Sequence, residues 1–152
     1  MHHVAVRVAD LERSTRFYLD VFGGRVELDA AMPSDMTAHL FGTPPGTVSR
    51  GRGIFFDEGV VELFAFEPSA PTGPVDQAAA NQMHFCLYVE DVRATAERVV
   101  TAGGSVLFDP MEWGECTFVY VADPDGNVIE LLDVDHASWV RGARGDVPDV
   151  PG

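Results

Sequence analysis

The sequence contains two copies of one short unit, and this repeat limits what the chain can fold into more than any other feature. Residues 3–29 read HVAVRVADLERSTRFYLDVFGGRVELD, and residues 84–109 read HFCLYVEDVRATAERVVTAGGSVLFD. His3 matches His84, and Asp10 matches Asp91 at the same offset. The repeat therefore predicts two equivalent modules rather than one undivided domain.

Each copy has the same predicted order of elements. An alternating segment typical of a strand comes first, followed by an aspartate suited to capping a helix and by a periodic apolar stretch. A glycine pair, Gly23-Gly24 or Gly103-Gly104, is expected to end each helix. A second strand and a hairpin follow, and in the second copy residues 123–127 (DPDGN) form a strong turn. Each half therefore reads βαβββ.

We predict an α+β fold in which two βαβββ modules occupy nearly the whole chain. The first module covers residues 1–66, a linker rich in Pro and Ala covers 67–82, and the second module covers 83–133. Residues 134–152 form a tail that is expected to be loosely held. Residues 30–52 give the first copy a long connection, which we interpret either as a lid or binding loop or as a surface insertion.

The charge of the chain excludes two classes of partner. Its 10 Lys+Arg stand against 24 Asp+Glu, which gives a formal net charge of −14. Nucleic acids and anionic membrane surfaces both attract basic proteins, so neither is expected as a partner. The first residues, MHHVAVRVADLERS, lack the basic start and apolar stretch of a secretory signal. A cytoplasmic location with free thiols is therefore expected.

One histidine in each copy lies on the strand face opposite the apolar residues, because strand side chains alternate between two faces. That face carries His3, Ala5 and Arg7 in the first copy and His84, Cys86 and Tyr88 in the second. His2 is in phase with the valines, so His3 is the better candidate. In the last strand of each copy a glutamate, Glu62 or Glu130, interrupts an apolar run. If such a carboxylate is buried, it needs a cation or a hydrogen-bond donor.

Two histidines and two glutamates at equivalent positions of a repeat favour a metal site, although any one of them alone is more often solvated or hydrogen-bonded. Imidazole and carboxylate together suit Zn²⁺, Ni²⁺, Co²⁺, Mn²⁺ or Fe²⁺. We predict that the metal ligands are His3, Glu62, His84 and Glu130. The residues predicted to line a substrate pocket are Arg7, Phe64, Cys86, Tyr88 and Trp113. For the last four, ordinary packing in the core is the alternative. Arg7 would reach an anionic group of the substrate, or else form a salt bridge facing solvent.

Four segments together carry a family resemblance. They are HHVAVRVADLERSTRFYLDVFGG (2–24), VVELF (60–64), MHFCLYVEDV (83–92) and DPDGNVIELLD (123–133). With these segments the chain resembles the vicinal oxygen chelate superfamily, which includes glyoxalase I, methylmalonyl-CoA epimerase, extradiol dioxygenases and bleomycin resistance proteins. The resemblance implies a cupped mixed sheet around a divalent metal, held by the same four residues. It leaves open whether the cup forms within one chain or across a homodimer.

The resemblance also implies a reaction. Four ligands, Glu62 among them, fit glyoxalase I and the epimerases, so the implied enzyme is a metal-dependent lyase or isomerase acting on a small carbonyl substrate. It would take a proton from the carbon next to the carbonyl, through a metal-bound enediolate, with Glu62 or Glu130 as the catalytic base. An Fe²⁺ extradiol-type dioxygenase and a non-enzymatic drug- or metabolite-binding module are the alternatives. The negative charge weighs mildly against an anionic thioester substrate.

Overall fold

The elements follow the repeat in the computed structural model, which describes residues 2–57, 59–69 and 83–143. In chain order they are β1 (His3–Arg7), α1 (Leu11–Phe22), β2 (Arg25–Met32), α2 (Ser34–Phe41), β3 (Val48–Phe56), β4 (Gly59–Glu67), β5 (Phe85–Tyr88), α3 (Val92–Thr101), β6 (Ser105–Val106), β7 (Met111–Trp113), β8 (Cys116–Ala122), β9 (Val128–Leu132) and α4 (His136–Ala143). Most of the predicted linker and the end of the predicted tail lie outside the described residues.

Each module forms its own sheet, and the two sheets share one topology. The strand order is β1-β4-β3-β2 in the first and β5-β9-β8-β6 in the second, where β7 also pairs with β8. The pairs β1–β4 and β5–β9 are parallel, and the other pairs are antiparallel. The predicted α+β class is therefore confirmed, with one sheet for each copy of the repeat. The second strand of the second module is divided into β6 and β7.

The helices α1 and α3 begin and end as the repeat predicts. Asp10 and Asp91 each accept a hydrogen bond of 2.9 Å from the backbone N–H three residues later. Such a cap stabilises a helix by roughly 1 kcal/mol. Gly23 (φ 76°) is the C-cap of α1, and Gly103 (φ 92°) makes the corresponding left-handed turn one residue after the C-cap of α3. The predicted glycine pairs therefore mark both helix ends.

One apolar core runs through both modules, between the helices and the sheets. Phe17 and Tyr18 of α1 and Val99 of α3 are almost fully buried, together with Leu63 of β4 and Leu131 of β9. Each such side chain contributes about 1.5–3 kcal/mol when it leaves water. Because the leucines and valines of the strands point toward this core, the histidine-bearing faces of both sheets point away from the helices.

A turn of the second module ties the two modules together at one end. The Asp125 carboxylate accepts hydrogen bonds from the backbone N–H of Ala9 (3.1 Å) and from the Ser14 hydroxyl (2.9 Å). The Asn127 side-chain amide donates a hydrogen bond of 2.9 Å to the backbone carbonyl of Arg7. The start of β9 therefore lies beside the end of β1.

A buried arginine joins β3 to α1 within the first module. The Arg52 guanidinium, with 8% of its side chain exposed, binds Glu12 at 2.9 Å and Asp29 at 2.6 Å. It also donates a hydrogen bond of 3.0 Å to the Thr15 hydroxyl. Buried charges are tolerated when they are paired and hydrogen-bonded in this way.

The long connection of the first module is largely regular structure. Strand β2 continues to Met32, α2 fills residues 34–41, and β3 begins at Val48. The hydroxyls of Thr37 and Ser49 lie 3.0 Å apart and both side chains are buried, which fixes α2 on β3. Helix α2 was not predicted from the sequence.

Another helix, α4, lies within residues 134–152, which were predicted to form a loosely held tail. Asp135 accepts a hydrogen bond of 2.9 Å from the backbone N–H of Ser138 at its start. In the described part of the chain, every helix is too short or too polar to cross a membrane.

Candidate metal centre

Each module places one histidine beside one glutamate on neighbouring parallel strands. His3 of β1 and Glu62 of β4 have their Nε2 and Oε2 atoms 3.7 Å apart. His84, just before β5, and Glu130 of β9 have the same atoms 3.5 Å apart. The four side chains are between 20% and 46% exposed. Each module thus presents an imidazole and a carboxylate side by side on the face away from its helix.

The two histidine–glutamate pairs lie apart within one chain. The hydrogen bond from Asn127 to Arg7 places the start of the second sheet, where His84 lies, beside the last residue of β1. His3 is at the opposite end of β1, as its first residue. Four residue steps along a strand cover roughly 13 Å. Among residues 2–57, 59–69 and 83–143, no group of three or more possible ligands comes together. One chain therefore holds the four predicted ligands as two separate pairs.

The donor chemistry of each pair fits a divalent cation. Imidazole nitrogen and carboxylate oxygen bind Zn²⁺ at about 2.0–2.2 Å, which places two such ligand atoms roughly 3–3.5 Å from one another. The separations of 3.5 Å and 3.7 Å need only a small adjustment to reach this range. Each pair supplies two donors, so a site with four protein ligands requires both pairs.

Arg7 lies on the same sheet face as His3, with its guanidinium among three aromatic rings. Its central carbon is 5.1 Å from the ring centres of Phe41 and Phe64 and 5.3 Å from that of Phe66. Desolvation lowers the pKa of Arg7, and the nearby Glu62 carboxylate acts in the opposite direction. Phe41 belongs to α2, so the insertion of the first module completes this group. We refer to Arg7, Phe41, Phe64 and Phe66 as the arginine cage.

Cys86 lies beside Glu130, as its place in the strand indicates. The two residues are direct partners across β5 and β9. Desolvation and the neighbouring Glu130 carboxylate raise the pKa of the Cys86 thiol to about 12.

The other two predicted pocket residues are exposed. Tyr88 is 56% exposed at the end of β5, on the same face as Cys86. Trp113 is 61% exposed on β7, at the edge of the sheet away from β5. Arg7, Phe64 and Cys86 therefore lie closer to the predicted metal ligands than Trp113 does.

Two residues near the histidine–glutamate pairs, Tyr120 and Phe41, were not predicted from the sequence. Tyr120 of β8 is the direct strand partner of Glu130, and its hydroxyl lies 3.4 Å from Nε2 of His84. Tyr120 could have been found from strand pairing, since a residue directly opposite Glu130 on the neighbouring strand points to the same face of the sheet. Phe41 had no such signal, because the helix that carries it was not predicted.

A cavity of about 810 Å³ opens where the start of β1 faces the end of β5. Its walls come from both modules and include His3, Cys86 and Tyr88. Phe22 and Phe55 add apolar surface. The volume is in the range of cavities that accept small molecules.

A protein-family model matches most of the chain. The model described as Glyoxalase/Bleomycin resistance protein/Dioxygenase superfamily matches residues 1–131. Among curated relatives, the lactoylglutathione lyase of Haemophilus influenzae is 30% identical over 134 residues, covering 86% of this chain and 90% of the relative. A probable lactoylglutathione lyase of Synechocystis is 30% identical over 133 residues, covering 86% and 92%.

Solved structures show the same fold. A glyoxalase family protein from Bacillus cereus superposes with a TM-score of 0.74 at 18% identity, covering 88% of this chain and 92% of that one. The trypanothione-dependent glyoxalase I of Leishmania major gives a TM-score of 0.64 at 25% identity, with coverages of 96% and 93%.

Proposed function

Because the chain belongs to the glyoxalase/bleomycin resistance/dioxygenase superfamily, we propose that it is a metal-dependent lyase or isomerase of glyoxalase type. The observation that carries this proposal is the histidine–glutamate pair that each module presents, with 3.7 Å and 3.5 Å between the facing atoms. The names of the relatives, lactoylglutathione lyases, support a hemithioacetal of an α-ketoaldehyde as the substrate. Its conversion to a 2-hydroxy thioester moves one proton between adjacent carbons and a second proton from the hydroxyl oxygen to the former carbonyl oxygen, and it needs no oxidant.

The proposed site forms between two copies of the chain. His3 and Glu62 of one copy would meet His84 and Glu130 of the other, because within one chain the two pairs lie at opposite ends of the module junction. Closed two-fold dimers are the commonest homo-oligomers, and a two-fold dimer would contain two such sites. When bound there, a divalent ion polarises the substrate carbonyl and stabilises negative charge on its oxygen.

The residues of the chain would transfer the proton and bind the substrate. A glutamate of the site accepts the proton from the carbon next to the carbonyl and returns it to the neighbouring carbon. Arg7, held in the arginine cage, binds an anionic group on the thiol part of the substrate. A chain with a net charge of −14 gives such a substrate no long-range attraction, so a local cation at the site is needed.

Metal reconstitution tests the proposed function. Protein stripped with a chelator should regain isomerisation of the methylglyoxal–glutathione hemithioacetal with one of Zn²⁺, Ni²⁺, Co²⁺, Mn²⁺ or Fe²⁺. His3→Ala and His84→Ala should abolish turnover. His39→Ala, which changes an exposed histidine on α2, should not. Metal-dependent oxygen uptake with a catechol would replace the proposal with a dioxygenase. Protein that binds no metal and turns nothing over would replace it with a binding module.

A further inference from the structure

A carboxylate fills the space between the two modules at one end of their junction. The Asp125 side chain, in the turn between β8 and β9, accepts hydrogen bonds from the Ala9 backbone N–H (3.1 Å) and the Ser14 hydroxyl (2.9 Å). The Arg13 guanidinium binds the same carboxylate at 2.6 Å. The connection from β1 to α1, together with the first turn of α1, is therefore a carboxylate site that a turn of the second module occupies.

The repeat creates an equivalent place at the other end of the junction, where β5 leads into α3. At the offset of the repeat, Ala9 corresponds to Glu90 and Ser14 corresponds to Thr95. The Ala9 N–H binds Asp125, whereas the Glu90 N–H has no acceptor within the part of the chain that the structure describes. The second module therefore repeats the backbone of the carboxylate site without the carboxylate.

The turn on this side is too short to fill the place in the same way. Residues 123–127 separate β8 from β9, whereas only residues 57–58 separate β3 from β4. At the matching strand start, Asn127 bonds to the Arg7 carbonyl, but its counterpart Gly59 has no side chain that could reach the second module. The cavity of about 810 Å³ lies here, with Gly59 and Glu90 in its wall.

The wall of this cavity also contains an arginine whose hydrogen bonds go to neutral oxygens. The Arg98 guanidinium donates to the Thr95 hydroxyl (2.8 Å) and to the Val21 carbonyl (3.3 Å). Among the described residues no carboxylate forms an ion pair with it, whereas four other arginines of this acidic chain bind carboxylates. Arg13 has Ala94 as its counterpart, so Arg98 supplies the cation one helical turn further along α3.

The rest of the cavity is suited to the apolar part of a small molecule. Phe22, Phe55 and Phe56 contribute aromatic surface to its wall. Its acidic side chains are exposed to water, where their repulsion of an anion is weakened by solvent and salt. These side chains are Asp57, Glu90 and Asp91.

We propose that this cavity binds a small carboxylic acid with an apolar body. The Arg98 guanidinium and the Glu90 backbone N–H hold the carboxylate, in the place that corresponds to Asp125 at the other end of the junction. Hydrogen bonds between a guanidinium and a carboxylate are among the stronger ones in proteins. The apolar body lies among the phenylalanines. Binding needs no metal, so this site is independent of the proposed reaction.

Calorimetry with two matched probes tests the proposal. Protein stripped of metal should bind phenylacetate, and its neutral amide, phenylacetamide, should bind at least about 10-fold more weakly. Arg98→Met should weaken phenylacetate binding by about 10-fold and leave phenylacetamide binding unchanged. Arg93→Met changes an exposed arginine of α3 outside the cavity and should leave both affinities unchanged. Equal binding of the two probes, or no binding of phenylacetate, would overturn the proposal.

A second variant closes the cavity instead of removing the cation. Gly59→Asn copies Asn127, and a Cβ atom at Gly59 would meet no other atom within 4 Å, so the fold accepts the change. We expect this variant to bind phenylacetate at least about 10-fold more weakly and to unfold at a higher urea concentration, because it adds a contact between the modules. Unchanged binding of phenylacetate would show that the acid does not bind in this cavity.

Discussion

The hydroxyl of Tyr18 in α1 donates a hydrogen bond of 3.1 Å to the carboxylate of Asp123, in the turn between β8 and β9. Both residues are almost completely buried. Burial raises the pKa of both side chains, and the nearby Asp123 carboxylate raises that of Tyr18 further. The first helix of one module is thus joined inside the core to a turn of the other.

Tyr18→Phe should lower the free energy of unfolding by about 1–3 kcal/mol, because it removes a donor from a buried carboxylate without changing the shape of the ring. Urea unfolding followed by circular dichroism measures the change. Tyr88→Phe is the matched control, since Tyr88 is 56% exposed and its hydroxyl is free to bond to water. Equal effects of the two substitutions would contradict a stabilising role for the buried bond.

Arg52→Met should alter the pH dependence of stability. Hydrogen bonding to Arg52 lowers the pKa of Glu12, and hydrogen bonding to Arg50 and Arg52 lowers that of Asp29. Carboxylates with a lowered pKa in the folded state stabilise it above their ordinary pKa values, here 4.5 and 3.8, and lose this contribution as the pH falls. The urea midpoint of the wild type should therefore fall more steeply with acidification, from about pH 5 downward, than that of the variant.

Arg25→Met provides the comparison for that measurement. Arg25 pairs with Glu27 on the exposed β2, and surface ion pairs contribute little. Its pH profile should run parallel to that of the wild type. If the Arg52→Met profile also ran parallel, the buried guanidinium would have no part in the acid sensitivity of the fold.

Mixing two inactive variants should restore activity if the site forms between copies. In a mixed dimer of His3→Ala and His84→Ala, one of the two sites has all four ligands and the other lacks both histidines. Random exchange of subunits should therefore recover roughly a quarter of wild-type activity. A mixture of His3→Ala with Glu62→Gln, both in the first pair, should recover none. No recovery in either mixture after demonstrated exchange would place the site within one chain.

Phe41→Ala should raise KM for a hemithioacetal of glutathione with little change in kcat. Removing one ring from the arginine cage loosens Arg7, and a cation–π contact of about 0.5–2 kcal/mol corresponds to a KM change of roughly 2–30-fold. The hemithioacetal of an uncharged thiol should show no such increase. Met36→Ala, an exposed change on the same helix, serves as the control. An equal rise in KM for both substrates would indicate a role for Phe41 that does not involve the arginine.

The repeat predicted those elements that local sequence specifies. Asp10 and Asp91 mark the helix starts because the short side chain of aspartate at an N-cap reaches a free backbone N–H of the first turn. Alternation put His3 and His84 on the face away from the core. Helix α2 was not predicted, because it has only 8 residues and Pro33 and Gly42, which cap its two ends, were interpreted as parts of a long connection. It is held by tertiary contacts such as that between Thr37 and Ser49.

The arrangement of the two histidine–glutamate pairs relative to each other could not be predicted from the sequence. The alternation of side chains along the strands identified the members of each histidine–glutamate pair. Each pair lies within a single sheet, so alternation does not show how the two pairs are arranged relative to one another. Whether the pairs meet depends on the Asn127–Arg7 contact between modules, which no local pattern encodes.

The helix inserted in the first module, α2, also affects how substrate specificity could change in such a protein. A duplicated chain begins with two equal surfaces, and α2 has made them unequal by bringing Phe41 to Arg7. Changes in residues 33–47 would reshape what is recognised around that arginine without touching a histidine or a glutamate. If Arg7 binds the substrate as proposed, this insertion is the part of the chain where changes would alter substrate preference and leave the predicted metal ligands unchanged.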